Sequence, residues 1–212
     1  MTVQDTSRKT RTTIAPNRRS VVLGLALTVL SGSTYGILAG HGNAMAAEEG
    51  MADLSALRKG AMAGLIVMKE RPDVSHLKLV DGEGKERALS EWKGRVLLVN
   101  FWATWCYPCR KEMPQIANLQ KAFPESEFLV IAASEDKKGY QWAKEGLKDL
   151  KAENLVLLMD EGARALRSLG ERGLPTTILV DRKGRMAAKL IGPAEWDSEE
   201  AKAVIRALLA ES

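Results

Sequence analysis

Residues 96–101, Val-Leu-Leu-Val-Asn-Phe, run without a charge and with a single polar side chain. A half-buried strand alternates apolar and polar residues, whereas a strand covered on both faces reads as an unbroken apolar run. This stretch is therefore a central strand, and other elements must cover both of its faces. A second such run, 128–133, lies downstream, and 155–159 makes a third. Apolar spacing between and after them predicts helices over 106–123, 139–150 and 163–169. Strands over 176–180 and 186–191 flank Asp181-Arg182-Lys183-Gly184, a hairpin signal. A closing helix over 198–209 places Ala201, Val204, Ile205, Leu208 and Leu209 on one stripe. Upstream, 76–80 alternates, 81–84 turns, and 86–89 returns as a second short strand. The pattern predicts an α/β domain over 73–212, a central mixed sheet flanked by helices.

The chain has 212 residues and a formal net charge of +4. Its first 20 residues hold Arg8, Lys9, Arg11, Arg18 and Arg19 against Asp5, and everything after them is neutral. The basic excess belongs to a tail, so the domain offers no electrostatic footprint for nucleic acid. Residues 20–47 contain no charged side chain, and their apolar heart, 21–38, is just long enough to cross a bilayer. The basic tail then places the N-terminus in the cytoplasm and the domain on the far side. The expected organisation is a cytoplasmic tail at 1–20, a transmembrane anchor or signal at 21–40, a linker at 41–72, and the domain. Within the linker Leu54, Leu57, Met62, Leu65 and Met68 recur at roughly helical spacing, and Pro72 ends the segment. Ala44-Met45-Ala46 fits a signal-peptidase site and Arg18-Arg19 a twin-arginine signal, but the apolar run exceeds an ordinary signal core. The domain is exported whether the segment is kept or cleaved.

Two cysteines, Cys106 and Cys109, complete the sulfhydryl inventory, spaced C-x-x-C at the junction between the predicted central strand and the helix that follows. A loop this short constrains little of an unfolded chain, so a structural clip gains little. Haem attachment wants His after the second cysteine, where Arg110 stands, and tetrahedral zinc wants four ligands, with only His41 and His76 to supplement the pair. Redox chemistry fits. A helix start favours an anion, which lowers the Cys106 pKa and enriches the attacking thiolate. Pro108 falls in the first turn, where its missing N–H costs nothing. Cys109, three residues on, lies on the same side and can resolve a mixed disulfide. Pro114 falls inside the helix and should kink it.

The segment Phe101-Trp102-Ala103-Thr104-Trp105-Cys106-Tyr107-Pro108-Cys109-Arg110-Lys111-Glu112-Met113-Pro114 resembles the active site of the thioredoxin superfamily, and more narrowly the membrane-anchored TlpA-like periplasmic reductases. Gly173-Leu174-Pro175-Thr176-Thr177 and Gly192-Pro193-Ala194-Glu195-Trp196 extend the likeness. It implies a thioredoxin-like fold, a redox-active Cys106–Cys109 disulfide, and no metal or organic cofactor. By the same likeness Pro175 is cis beside the pair, and Trp105, Tyr107, Pro108, Pro175 and Thr176 form the substrate rim. Strong oxidants of the superfamily often carry His where Tyr107 stands, which favours the reducing direction here. Where cytoplasmic thioredoxins bury an Asp, this chain has Asn100, which cannot exchange a proton, so Glu135 after the second buried strand becomes the candidate base. The implied partners are disulfide-containing periplasmic proteins: copper-centre assembly factors, a cytochrome oxidase subunit, or apocytochrome c. The implied electron donor is a membrane thiol transporter. A copper-handling binding module and a disulfide oxidase are the competing functions.

Overall fold

The computed structural model describes residues 52–211. The spans assigned to the tail and the anchor, 1–20 and 21–40, lie outside them; no helix among the described residues is long and apolar enough to cross a membrane.

Strands β1 (Ile66–Val67), β2 (Lys78–Val80), β3 (Glu86–Ala88), β4 (Val96–Trp102), β5 (Phe128–Ser134), β6 (Val156–Met159), β7 (Thr176–Val180) and β8 (Met186–Ile191) form one mixed sheet. Its order is β1-β8-β7-β4-β5-β6-β2-β3. The central strand β4 pairs parallel with β5 and antiparallel with β7. Helices α1 (Tyr107–Lys121), α2 (Tyr140–Asp149), α3 (Arg164–Ser168) and α4 (Glu199–Leu209) complete the layers.

Side chains alternate across a strand, so β4 feeds two cores. Val96, Leu98 and Trp102 join Met113 and Ile116 of α1 with Val204 and Ile205 of α4. Leu97, Val99 and Phe101 point the other way, to Leu79, Leu89 and Leu166. The even-numbered series also contains Asn100, which is fully buried and is thereby aimed at α1. Pro114 is accommodated without breaking α1.

The segment expected as a helical linker is built differently. Residues 54–57 and 60–62 form two 3₁₀ turns, and Ile66–Val67 pairs antiparallel with β8. Gly60 has φ +53°, and a Cβ there would meet the Glu200 carboxylate at 2.4 Å, so an α-helix cannot run through it. The apolar residues recur because Leu54, Met62 and Leu65 are all buried in the core that holds α4. Arg71 closes this arrangement: its guanidinium lies 3.1 Å from Asp181 and 2.6 Å from Glu211, and all three side chains are buried.

Removing Arg71 takes the guanidinium from Glu211 while Asp181 keeps Arg185 at 2.9 Å; breaking a buried ion pair by removing one partner costs about 3–5 kcal/mol. Arg71→Ala should lower the free energy of urea unfolding by about that amount. A loss of under ~1 kcal/mol, the range of an exposed pair, would show that the network is not the clasp described.

Candidate active site

The fold leads β4 directly into α1, and the cysteines sit at that junction. Cys106 is the N-cap of α1, with Tyr107 and Pro108 in the first turn, where a proline leaves no bond unmade. The two sulfurs form a disulfide with 5.3 Å between Cα atoms. The backbone N–H of Cys109 donates to Sγ of Cys106 at 3.3 Å. A sulfur at a helix start that receives an N–H is placed to carry negative charge once reduced. Both residues are buried, Cys109 fully and Cys106 to within 5%, so the first cysteine is the nearer of the two to solvent. Around it Trp105 and Tyr107 stand out into solvent, at 68% and 69% exposure.

Pro175 follows a cis peptide bond, as the resemblance implied. Its carbonyl accepts the Gly192 N–H at 2.9 Å. Thr176 is buried, pairs with Phe101 of β4, and turns its hydroxyl onto the Gly173 carbonyl at 2.8 Å. With Ile191 of β8 paired on its other side, Thr176 has no exposed surface, so the structure does not place it on the substrate rim expected of it.

Glu135 follows β5, its N–H bonded to the Trp102 carbonyl at 2.9 Å. Its side chain lines a cavity of about 1030 Å³ shared with Trp105, Tyr140, Asp160 and Arg167. One carboxylate oxygen is buried without a hydrogen-bond partner. Burial, reinforced by the Asp160 charge and opposed by Arg167, raises its pKa to about 7. Glu135 and Trp105 thus line one cavity, with Asp160 at the end of β6 on the same wall.

The carboxylate that shares a face with the resolving cysteine is Glu112. It lies three residues after Cys109 on α1, a spacing that makes neighbours of two helical side chains, and it is only 2% exposed. Asn100 Nδ2 donates to it at 2.8 Å while also donating to Thr177 Oγ1 at 2.9 Å. The other carboxylate oxygen accepts the Ala194 N–H at 3.2 Å and the Trp196 indole N–H at 3.1 Å. Burial drives its pKa up to about 7, against the pull of these donors. Residues 192–196 thereby supply two of the three groups that keep a carboxylate tolerable in the core. The signal in the sequence was an acid on the apolar stripe of a helix, beside Cys109, Met113 and Ile116. Arg110 and Lys111 next to it disguised that signal.

A disulfide at a helix start, a cis-proline, and a mixed sheet of this order define a thioredoxin-like thiol–disulfide oxidoreductase. The chain belongs to the Redoxin family, whose pattern matches residues 67–205. It is 32% identical over 138 residues to a thiol-disulfide oxidoreductase ResA of Bacillus cereus, covering 64% of this chain and 78% of the relative. Against ResA of Bacillus subtilis it is 30% identical over 130 residues, covering 61% and 72%. Among solved structures it resembles a DsbE-type thiol:disulfide interchange protein of Chlorobium tepidum, with a TM-score of 0.59 and 28% identity over 67% of this chain and 99% of that one.

The Glu112 carboxyl binds its proton more tightly in the folded protein than in the unfolded chain, where a glutamate titrates near ~4.3. Its contribution to stability is full below that value and is lost as pH rises through about 7. Relative to Glu112→Gln, the wild type should lose on the order of 3 kcal/mol between pH ~4 and pH ~8, read from urea unfolding at successive pH values. A difference that stays flat with pH would mean that Glu112 titrates as an ordinary surface glutamate.

Proposed function

We propose that this protein is an exported reductase, held at the outer face of the inner membrane by residues 21–40, that reduces disulfides in partner proteins for assembly of the copper centre of cytochrome oxidase. The observation that carries the reductase mechanism is the placement of Cys109 and Glu112 on one buried face beneath an N-capping Cys106. Thiolate chemistry at Cys106 is favoured by the helix start and the Cys109 N–H. Tyr107 supplies no cation to hold that thiolate further, which favours a reducing pair over an oxidising one.

In the forward direction the Cys106 thiolate attacks one sulfur of the partner's disulfide. An S–S bond forms between Cys106 and the partner, and the partner's other sulfur leaves as a thiolate. Cys109 must then lose a proton in apolar surroundings that resist its ionisation. Glu112, with a pKa near the operating pH, accepts that proton. The Cys109 thiolate displaces the second partner sulfur, closing Cys106–Cys109 and releasing the partner with two thiols. A cleft of about 290 Å³ bounded by Lys111, Glu112, Gln115 and Ala194 gives the proton a way out. Glu135 faces the Trp105 side instead and is assigned to the substrate edge, with the base role going to Glu112. Two electrons from a membrane thiol transporter reset the pair.

The names of the relatives, ResA and DsbE, support disulfide exchange as the activity. Export is supported by the charge asymmetry around residues 21–38. Without Cys109 the mixed disulfide cannot be resolved, so Cys109→Ser should accumulate covalent adducts in cells, visible on non-reducing gels and identified by mass spectrometry. Cys106→Ser should accumulate far fewer. Copper-centre proteins among the adducts support the proposed pathway; apocytochrome c in their place would move the enzyme to haem attachment. Equal trapping by both variants would refute the division of labour between the cysteines.

A further inference from the structure

Large apolar side chains are costly to leave in water, and few are left there in this domain. Among the described residues Ile66, Trp105, Tyr107, Trp142 and Ile191 are exposed. Trp105 and Tyr107 flank Cys106 in the sequence, so their exposure is expected of an active-site rim. Trp142 lies far along the chain, on α2, and is nonetheless built into the same surface. Together with Trp105 it walls a cleft of about 470 Å³ that also reaches Thr104, Arg110 and Leu150.

This Trp is exposed but not loose. Its indole N–H donates to Thr104 Oγ1 at 2.9 Å, two residues before the nucleophile. Thr104 Oγ1 donates in turn to the buried Asp136 carboxylate at 2.7 Å, and the Thr104 N–H reaches the other oxygen at 2.9 Å. Ser134 Oγ fixes Asp136 from the end of β5. The Lys138 ammonium lies 3.8 Å over the indole ring. Gly146, one helical turn after Trp142, lets α2 close on this loop: a Cβ there would stand 2.5 Å from the Thr104 methyl. The sequence has thus placed a glycine inside a helix, at a cost in helix propensity, where α2 brings Trp142 against Thr104, two residues before Cys106.

A rigid, exposed aromatic is the kind of group that binds a partner without a large ordering cost. The occupant follows from the reaction. A disulfide brought to Cys106 carries its polypeptide across Trp105, and the cleft begins at Trp105. The charges around the cleft balance, Arg110, Lys137 and Lys138 against Asp136, Glu145 and Asp149, so the aromatic walls decide what enters. We infer that the Trp105–Trp142 cleft is a specificity subsite that receives one large apolar side chain of the partner polypeptide, close in sequence to the cysteine under attack. This rests on the reductase reading and adds to it which partner disulfides the enzyme prefers.

The test uses disulfide-linked peptides with one Phe moved through successive positions on either side of the half-cystine and Ser elsewhere, with dithiothreitol as the thiol donor. The wild type should reduce the peptide with Phe at one particular position about tenfold faster in kcat/KM than the all-Ser peptide. Trp142→Ala should abolish that preference, so that its kcat/KM values for the Phe and all-Ser peptides become equal. Trp142→Phe, which keeps an aromatic ring but lacks the donor to Thr104, should retain an intermediate preference. Absence of any Phe preference in the wild type, or its survival in Trp142→Ala, overturns the subsite. Failure of the wild type to reduce even hydroxyethyl disulfide would instead overturn the reductase reading on which the subsite rests.

Discussion

Glu112 receives hydrogen bonds from three groups in two parts of the chain: from Asn100 in β4, and from Ala194 and Trp196 in the loop after β8. A carboxylate in a protein interior is hard to ionise, and it stays only where donors surround it. These donors do two jobs together. They tie α1 to the sheet on one side and to the C-terminal loop on the other, on the face that carries Cys109. They also bring the acid back to the middle of its range, with a pKa of about 7 after burial has pushed it up. Without them burial would push the pKa higher still, and without burial the donors would hold it low. A group that exchanges protons near neutral pH needs both.

Asn100 has the part that looks least suited to it, because its amide has no proton to exchange. In the fold its Nδ2 meets Glu112 and Thr177 while its Oδ1 is buried without a partner. An amide presents a donor at one end and an acceptor at the other. Turned over, Asn100 would offer its oxygen to a protonated Glu112 and to the Thr177 hydroxyl. The same residue can therefore satisfy either charge state of the acid. In the proposed mechanism the first turns of α1 divide the work between their two ends: the helix start favours the Cys106 thiolate, and Glu112 is the proposed acceptor of the Cys109 proton in the core.

What could be read from the sequence was what local pattern encodes. The apolar runs of β4 and β5 identified the central strands because a strand covered on both faces is apolar at nearly every position, Asn100 being the exception that needs a partner. The cysteine pair was legible from its spacing and from the Trp105 and Pro108 around it. Glu112 escaped because its burial depends on partners 12 residues earlier and more than 80 later, which no local window contains. The 54–68 segment misled for a related reason. Its apolar spacing imitates a helix, but the period is set by where Leu54, Met62 and Leu65 must reach α4, and Gly60 turns the chain between them. Trp142 falls within the helix expected over 139–150, and no local pattern sets it apart. Only the closeness of Thr104 to Gly146 shows that its helix leans on the active-site loop.

The coupling of Glu112 to the cysteine pair is open to direct observation. Carbon-13 labelling of the glutamate side chains allows each carboxyl to be titrated by NMR in the oxidised and in the reduced protein, with Glu112→Gln and Glu135→Gln assigning the two resonances of high pKa. The Glu112 carboxyl is expected to titrate at about pH 7 in the oxidised form, with a midpoint that moves when Cys106–Cys109 is reduced, because a thiol able to ionise then faces it. A Glu112 midpoint near the ordinary glutamate value, or one that is the same in both redox states, would contradict it.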